Sequence, residues 1–209
     1  MSESYVINEK RELVLDKVKE FILKNGGIVK KRTLNELGID YRRILDFVEK
    51  GDLIRLKSGY YTIRISDFSE EELIAKLFPD AVLNLESGLY AYGYISKKPY
   101  GWRLAIDKNT SKSRFKMDYP KVIPMYTEPE VLTLGVTEID FGGTKMKIFD
   151  RERLICDCLK YEDKMERNFF KEGLMAYIND PKKDIAKLMQ YARERRVVKK
   201  VQNVIGVWL

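Results

Sequence analysis

The stretch that decides the fold of this chain runs from Ile28 to Ile65 and reads IVKKRTLNELGIDYRRILDFVEKGDLIRLKSGYYTIRI. Its pattern predicts a short helix that begins at Lys31 and stops at Gly38. A second helix is predicted to open at Asp40, whose side chain can accept hydrogen bonds from the unpaired N–H groups of the first turn. Gly51 stands where a left-handed residue commonly ends a helix.

Two β-type runs follow these helices. They are Leu53–Leu56 and Tyr60–Ile65, and Ser58-Gly59 supplies the positive φ that a tight hairpin needs. Helix, turn, helix and hairpin is the order of a winged helix-turn-helix, in which the second helix enters the DNA major groove and the hairpin contacts backbone.

The second helix is predicted to have one apolar stripe and one charged face. Spacing of i, i+3, i+4 and i+7 puts the stripe on Tyr41, Ile44, Leu45 and Val48. The opposite face carries Arg42, Arg43, Asp46, Glu49 and Lys50. Arginines at the start of that face are where a recognition helix would reach guanine, because the guanidinium donates bidentately to that base.

Further polar and basic residues are candidates for holding phosphates. They open the first helix at Lys30, Lys31, Arg32 and Thr33, and they lie on the hairpin at Arg55, Lys57 and Ser58. Two other interpretations stay open: an ordinary solvated surface, and a winged helix that contacts only protein.

The chain has 209 residues, of which 44% are apolar and 34% charged, as expected for a globular protein. No apolar run approaches the length of about 18 residues that a transmembrane helix needs, so no membrane partner is predicted. The start of the sequence lacks the apolar core of a secretory signal, and we expect a cytoplasmic protein.

Basic residues are concentrated at the two ends. Residues 1–65 hold 14 basic and 10 acidic side chains, residues 66–148 hold 11 and 12, and residues 149–209 hold 14 and 10. With a formal charge of +7 for the whole chain, this distribution suits a polyanion partner.

Residue types that carry common catalytic chemistry are missing. The chain has no histidine, which excludes Ser-His-Asp and Cys-His catalysis and histidine-ligated zinc. Cys156 and Cys158 stand at i and i+2, so on a helix they face apart and are expected to be buried thiols. A nuclease-like pattern around Asp140 lacks its acid-x-Lys element. We therefore predict no enzyme, no metal and no cofactor.

The fold class predicted is α+β, with a domain boundary near residue 66. Residues 1–66 form the winged helix-turn-helix, and an amphipathic helix over residues 8–25 packs beneath it on Leu13, Val14, Val18, Phe21 and Ile22. Residues 67–209 form the second domain, which opens on a Ser69…Glu72 capping box.

The second domain is predicted to be a mixed β-sheet over residues 79–149, followed by helices over residues 150–209. The β-type runs are Trp102–Ile106, Lys121–Tyr126, Val131–Leu134, Val136–Phe141 and Lys145–Phe149. The polar stretch KNTSKSRFK, from Lys108 to Lys116, is taken as a flexible loop, with a second polyanion contact as the alternative. The first helix is expected to be capped by Asp150 and to carry Leu154, Ile155, Cys158 and Leu159. The others are expected near residues 165–178, 183–195 and 197–207.

At this point the whole chain resembles the AbiEi antitoxins of bacterial abortive-infection (type IV) toxin–antitoxin systems. The resemblance is carried, in order, by RTLNELGIDYRRILDFVEKGDLIRLKSGYYTI, LNLESGLYAYGYI, MKIFDRERLICDCLKYEDKM and DIAKLMQYARERRVVKKVQNVI. It implies an N-terminal winged helix that binds inverted repeats of double-stranded DNA in its own promoter. It also implies a C-terminal domain that counters a nucleotidyltransferase-like toxin without a tight complex.

The resemblance assigns roles to particular residues. Operator contacts are then Lys31, Arg32, Tyr41, Arg42, Arg43, Arg55 and Lys57. The antitoxin surface falls on basic residues of the C-terminal helices, namely Arg151, Arg153, Lys160, Arg193, Arg196, Lys199 and Lys200, within a basic run from Arg193 to Lys200 that also holds Arg195.

Overall fold

The computed structural model describes the backbone of residues 3–206 and the side chains of residues 9–206. It is a mixed α+β structure with two sheets. In chain order the elements are α1 (Glu3–Lys24), β1 (Ile28–Lys30), α2 (Lys31–Glu36), α3 (Tyr41–Glu49), β2 (Ile54–Lys57), β3 (Tyr60–Thr62), α4 (Glu70–Leu77), β4 (Val82–Leu83), α5 (Leu85–Ala91), β5 (Trp102–Asp107), β6 (Val122–Thr127), α6 (Pro129–Leu132), β7 (Val136–Phe141), β8 (Thr144–Phe149), α7 (Arg151–Lys160), α8 (Arg167–Asn179), α9 (Ile185–Arg195) and α10 (Val198–Val204).

The chain divides into two compact units. The first unit runs to Leu77 and includes the distant segment Lys112–Tyr119, and the second holds Phe78–Ser111 and the chain from Pro120 onward. The expected boundary at residue 66 therefore falls inside the first unit, which also takes in α4. Among residues 3–206, no helix is long and apolar enough to cross a membrane.

Helices α2 and α3 form as their caps predict. The Asp40 carboxylate accepts a hydrogen bond of 2.8 Å from the Arg43 N–H, and Gly51 has a φ of +76°. The predicted stripe of α3 is partly wrong: Ile44 and Phe47 are fully buried, whereas Tyr41 is 42% exposed. The buried face therefore includes Phe47, which the predicted stripe missed, and leaves out Tyr41.

Helix α1 packs against α2, α3 and the small sheet through Leu15, Val18 and Ile22. One of the predicted stripe residues differs from that face. Leu13 is exposed, and Leu15 takes the buried position in its place. The helix begins earlier than predicted, at Glu3.

The first sheet is antiparallel with strand order β1-β3-β2, so the short extended run at Ile28 is its third strand. Val29 and Arg55 both lie opposite Tyr61. The register slips between Arg55 and Lys57, which marks a β-bulge in β2. A bulge breaks the two-residue alternation of a strand, and here both Leu56 and Lys57 point into the unit.

Helix α4 is joined to the first unit at two places. Its predicted capping box is confirmed, because the Ser69 N–H donates to Glu72 at 2.8 Å and the Glu72 N–H donates to the Ser69 hydroxyl at 3.1 Å. Near its start, the Phe68 ring packs so closely on Gly27 that a Cβ there would lie 2.5 Å from the ring. At its end, the Lys57 ammonium donates to the Leu77 carbonyl at 2.9 Å.

The second unit is built on a five-stranded mixed sheet of order β6-β5-β4-β8-β7. The β7–β8 hairpin turns at Gly142-Gly143, as the sequence predicted. The expected β-run at Val131–Leu134 is wrong. Pro129 stands in the first turn of the short helix α6, a position that its fixed φ favours, and the Leu132 N–H donates to the Glu128 carbonyl at 2.9 Å.

Helices α7 to α10 account for the predicted helical part. Asp150 caps α7 through a 2.9 Å hydrogen bond from the Arg153 N–H. The small residues of α5 allow close packing, since a Cβ at Gly88 would lie 2.7 Å from Leu154 of α7. The last helix ends at Val204, and its expected end at Val207 lies outside the described residues.

Candidate nucleic-acid interface

The starts of α2 and α3 and the tip of the β2–β3 hairpin meet in one region of the first unit. The Lys31 N–H donates to the Gly59 carbonyl at 2.8 Å, which joins α2 to the hairpin turn. The Lys31 ammonium lies 4.4 Å from the centre of the Tyr41 ring, which joins α2 to α3. Lys30 lies 5.8 Å from the Tyr60 ring of the hairpin. These contacts bring residues from three elements to one surface.

Arg55 extends this surface along the hairpin. It is exposed and lies opposite Tyr61 in the sheet. Burial raises the pKa of Tyr61. We call Lys30, Lys31, Tyr41, Arg42 and Arg55 the basic face.

Arg42 and Arg43 point in different directions although they are neighbours. With about 100° between successive residues of a helix, Arg42 lies opposite the buried pair Ile44 and Phe47 and points outward. Arg43 lines a groove of about 480 Å³ together with α1 and Leu37. Of the two, Arg42 is the one at the centre of the outward face of α3.

An acidic residue on α3 is neutralised within the first unit. Asp46 accepts from Arg11 of α1 at 2.8 Å and from Lys50 at 3.0 Å. The hydrogen bond from Arg11, followed by that from Lys50, lowers the pKa of the Asp46 carboxyl. Arg11 also pairs with Asp52 and lies 5.1 Å from the Phe47 ring. The sequence analysis missed Arg11, whose only signal was a position on the inner face of an amphipathic helix.

The remaining predicted contact residues are Arg32 and Thr33 at the start of α2 and Ser58 in the hairpin turn. Arg32 is highly exposed, and its guanidinium pairs with Glu36 one turn later at 3.0 Å. Thr33 is half-buried. Ser58 is exposed in the hairpin turn.

Lys57 is a correction to the predicted contact set. It was placed on the outer face because it stands two residues after Arg55. The bulge turns it inward, where the residue is 4% exposed and its ammonium binds the Leu77 carbonyl and lies 4.5 Å from the Tyr60 ring. The C-terminal carbonyls of a helix attract cations, so Lys57 ties the hairpin to α4 and does not face solvent.

Arg153 is a second correction, in the second unit. It was predicted to be part of an exposed antitoxin surface, yet it is 0% exposed and pairs with Asp157, while its guanidinium lies 4.3 Å from the Phe149 ring. Arg195 is likewise buried and donates to Asp157 at 2.7 Å. The Asn84 amide completes this buried group with a 3.1 Å hydrogen bond to Asp157. Helical spacing alone did not show that these arginines face the core.

The other predicted residues of the C-terminal helices fall into two groups. Three are half-buried and already bonded: Arg151 to Asp180 at 3.0 Å, Lys160 to the Arg195 carbonyl at 3.3 Å, and Lys200 to the Leu159 carbonyl at 2.8 Å. Burial, followed by the charge of Arg195, lowers the pKa of Lys160. Three are exposed at the junction of α9 and α10, namely Arg193, Arg196 and Lys199.

Both cysteines are buried, free thiols on α7, as predicted. Burial raises the pKa of Cys156 to about 12 and that of Cys158 well above its ordinary value. A thiol that stays protonated is a poor nucleophile and a poor metal ligand.

Comparison with known proteins finds a match for the N-terminal part of the chain. Residues 16–64 match the model of a family described as "Transcriptional regulator, AbiEi antitoxin". No curated protein matches the chain. The matched residues span the C-terminal part of α1, the helices α2 and α3 and the whole first sheet, and they include every residue of the basic face. Over this segment, as the resemblance predicted, the chain is similar to the AbiEi antitoxin family of transcriptional regulators.

Proposed function

We propose that the first unit is a winged helix-turn-helix that binds double-stranded DNA, with α3 as the recognition helix and the β2–β3 hairpin as the wing. The observation that carries this proposal is the basic face, since its cations come from β1, α2, α3 and the hairpin and lie within the segment that matches a family of transcriptional regulators. Arg42 reads guanine from the major groove. Lys30, Lys31 and Arg55 hold phosphates.

Arg43 has a secondary place in this proposal. Because it lines the groove against α1, it contacts the DNA backbone beside the helix rather than base edges. Arg32 and Thr33 remain backbone contacts at the start of α2, and Arg32 exchanges its partner Glu36 for a phosphate when DNA binds.

The protein acts, in this proposal, as the autorepressor and antitoxin of a type IV abortive-infection operon. It binds inverted repeats in its own promoter, one copy to each repeat, and it works in the cytoplasm without a cofactor or an enzymatic step. The second unit counters a nucleotidyltransferase-like toxin. The exposed trio of Arg193, Arg196 and Lys199 is the part of the predicted antitoxin surface that is accessible to a partner.

A promoter–reporter assay tests the repressor role. The region upstream of the gene drives a reporter, and the protein is supplied from a separate promoter. We expect repression by the wild type, loss of repression with Arg42→Ala, and unchanged repression with Arg167→Ala, an exposed arginine of the second unit. Equal repression by wild type and Arg42→Ala would remove α3 from the recognition role.

Co-expression with the toxin from the neighbouring gene tests the antitoxin role separately. Both genes are placed under foreign promoters, so that repression plays no part in the outcome. We expect Arg42→Ala to protect cells as well as the wild type does, and the Arg193→Ala/Arg196→Ala/Lys199→Ala variant to lose protection. If the triple variant protects fully, the antitoxin surface lies elsewhere on the chain.

A second candidate function is a protein-interaction module. The groove of about 480 Å³ beside α1 favours it, because Val14, Phe21 and Ile39 line that groove and Leu37 at its edge is 46% exposed. In this interpretation the chain has no sequence-specific DNA binding, Leu37→Asp abolishes repression, and Arg42→Ala leaves repression unchanged.

A further inference from the structure

The segment Lys112–Tyr119 folds with the first unit although it lies 35 residues beyond α4 in the chain. The overlapping stretch Lys108–Lys116 was expected to be a flexible loop, with a second polyanion contact as the alternative. Residues Lys112–Phe115 instead form one turn of 3₁₀-helix, and the Lys116 N–H donates to the Ser113 carbonyl at 3.2 Å. Phe115 is 9% exposed and anchors the turn. The basic side chains of this turn therefore have a defined place in the first unit.

The segment Lys112–Tyr119 lies beside the proposed wing. A groove of about 570 Å³ is lined on one side by β2 and the hairpin turn, from Arg55 to Ser58, and on the other by Ser113, Lys116, Met117 and Asp118. Arg55, Ser58 and Lys116 are exposed. The wall of this groove is therefore shared by the proposed DNA-contacting hairpin and by a segment that no local pattern linked to it.

The charges of the segment suit a polyanion. Lys112 and Lys116 are exposed, and within the part of the chain that the structure describes neither forms an ion pair. Asp118 is the one acidic residue between Lys112 and Tyr119, against the three basic residues Lys112, Arg114 and Lys116. Cations beside an exposed hydroxyl such as that of Ser58 are the usual partners of phosphodiester oxygens, which carry no sequence information.

We propose that Lys112 and Lys116 form, with Arg55 and Ser58 of the wing, a phosphate clamp on the backbone of duplex DNA beside the site that α3 reads. This inference rests on the proposed DNA-binding function and deepens it. Duplex DNA is the occupant because the wing of a winged helix lies along the sugar–phosphate backbone, which brings the neighbouring Lys112–Lys116 turn to the same strand. The clamp adds affinity and leaves base discrimination to Arg42.

The test is the salt dependence of binding by the full chain, measured by fluorescence anisotropy with the upstream DNA and with a shuffled duplex of equal length. Each lost phosphate contact lowers the slope of log K against log salt by about 0.9. For Lys112→Ala/Lys116→Ala we expect a slope about 2 lower and roughly 10- to 60-fold weaker binding near 0.1 M salt, on both duplexes alike. The preference for the upstream DNA is expected to stay unchanged.

Two control proteins make the result specific. Lys171→Ala/Lys182→Ala removes the same charge from exposed positions of the second unit and is expected to keep the wild-type slope. Lys112→Arg/Lys116→Arg keeps both charges and is also expected to keep the wild-type slope. A clamp variant with the slope of the wild type overturns the inference.

The outcomes also separate this inference from the function on which it rests. If the wild type binds both duplexes equally, the proposal of sequence-specific repression fails. The difference in slope between the wild type and the clamp variant on the shuffled duplex still shows whether Lys112 and Lys116 contact phosphates. If the wild type binds neither duplex, both are wrong. If the wild type prefers the upstream DNA and the clamp variant loses only that preference, the segment reads bases and the clamp is wrong.

Discussion

Arg55 and Lys57 stand two residues apart on the same strand, but their side chains have different surroundings. A regular strand would put both on one face, but the bulge between them turns Lys57 to the Leu77 carbonyl and leaves Arg55 exposed. Lys57 thereby holds the hairpin to α4, and Arg55 stays exposed on the basic face.

Replacing these two residues is expected to give opposite results. Lys57→Met leaves the Leu77 carbonyl without its donor, and we expect the free energy of unfolding to fall by about 1–3 kcal/mol. DNA affinity is expected to keep its salt slope in this variant. Arg55→Met is expected to change stability by less than about 0.5 kcal/mol and to lower the salt slope by about 1. Urea unfolding followed by far-UV circular dichroism and anisotropy titrations measure the two effects, and a lower slope for Lys57→Met would contradict the inward placement.

Arg153 is a core residue of the second unit in spite of its charge. Its pair with Asp157 is shared with Arg195 and Asn84, so the buried carboxylate has cations on two sides. Removing one partner of a buried ion pair leaves an uncompensated charge, which commonly costs about 3–5 kcal/mol.

We therefore expect Arg153→Met to lower the free energy of unfolding of the second unit by about 3–5 kcal/mol. The matched control is Arg193→Met, at an exposed position of α9, with a change below about 0.5 kcal/mol. Tryptophan fluorescence during urea unfolding follows this unit, because Trp102 is buried in β5. Equal stability of the two variants would show that the buried pair contributes little.

At the scale of elements, α3 is held to α1 by ionic contacts on its side and by apolar packing on its inner face. Arg11 donates to Asp46 at 2.8 Å and also pairs with Asp52. Because the folded state lowers the pKa of Asp46, the stabilisation from this carboxylate is complete above its ordinary pKa of 3.8 and is lost as the pH falls through the lower, folded value.

The pH dependence of stability tests this contact. Below pH 3.8 we expect the wild type to lose free energy of unfolding more steeply than Arg11→Met, in which the pKa of Asp46 is no longer lowered by this partner. Asp180 also has a lowered pKa, but it is in the second unit and affects both proteins equally. Unfolding curves at neutral and acidic pH give the comparison, and parallel losses in the two proteins would assign the acid sensitivity to other groups.

Elements with strong local signals could be predicted from the sequence. Asp40, Ser69 and Asp150 are capping residues whose side chains act on the next turn of chain, so their helices were placed correctly. What could not be predicted depends on distant contacts. The inward turn of Lys57 needs the bulge and the end of α4, and the burial of Arg153 needs Phe149 and Asp157 around it.

For the whole molecule, the difference between local signals and distant contacts also decides what could be predicted of the two units and of the candidate site. The first unit extends to Leu77 because Phe68 and Lys57 fasten α4 to residues far away in sequence, and the segment Lys112–Tyr119 joins it from farther still. The basic residues of α2, α3 and the hairpin could be named from the sequence. Which arginine points outward, and which basic loop lies beside the hairpin, followed only from the packed structure.

The central claim is that the first unit reads a specific DNA sequence through Arg42, and an equilibrium titration tests it most directly. The full chain, as wild type and as Arg42→Ala, is titrated against the DNA upstream of its gene and against a shuffled duplex. We predict that the wild type prefers the upstream DNA and that Arg42→Ala loses roughly 1–3 kcal/mol of that preference while keeping its binding to the shuffled duplex. Equal binding of the wild type to both duplexes would contradict the claim.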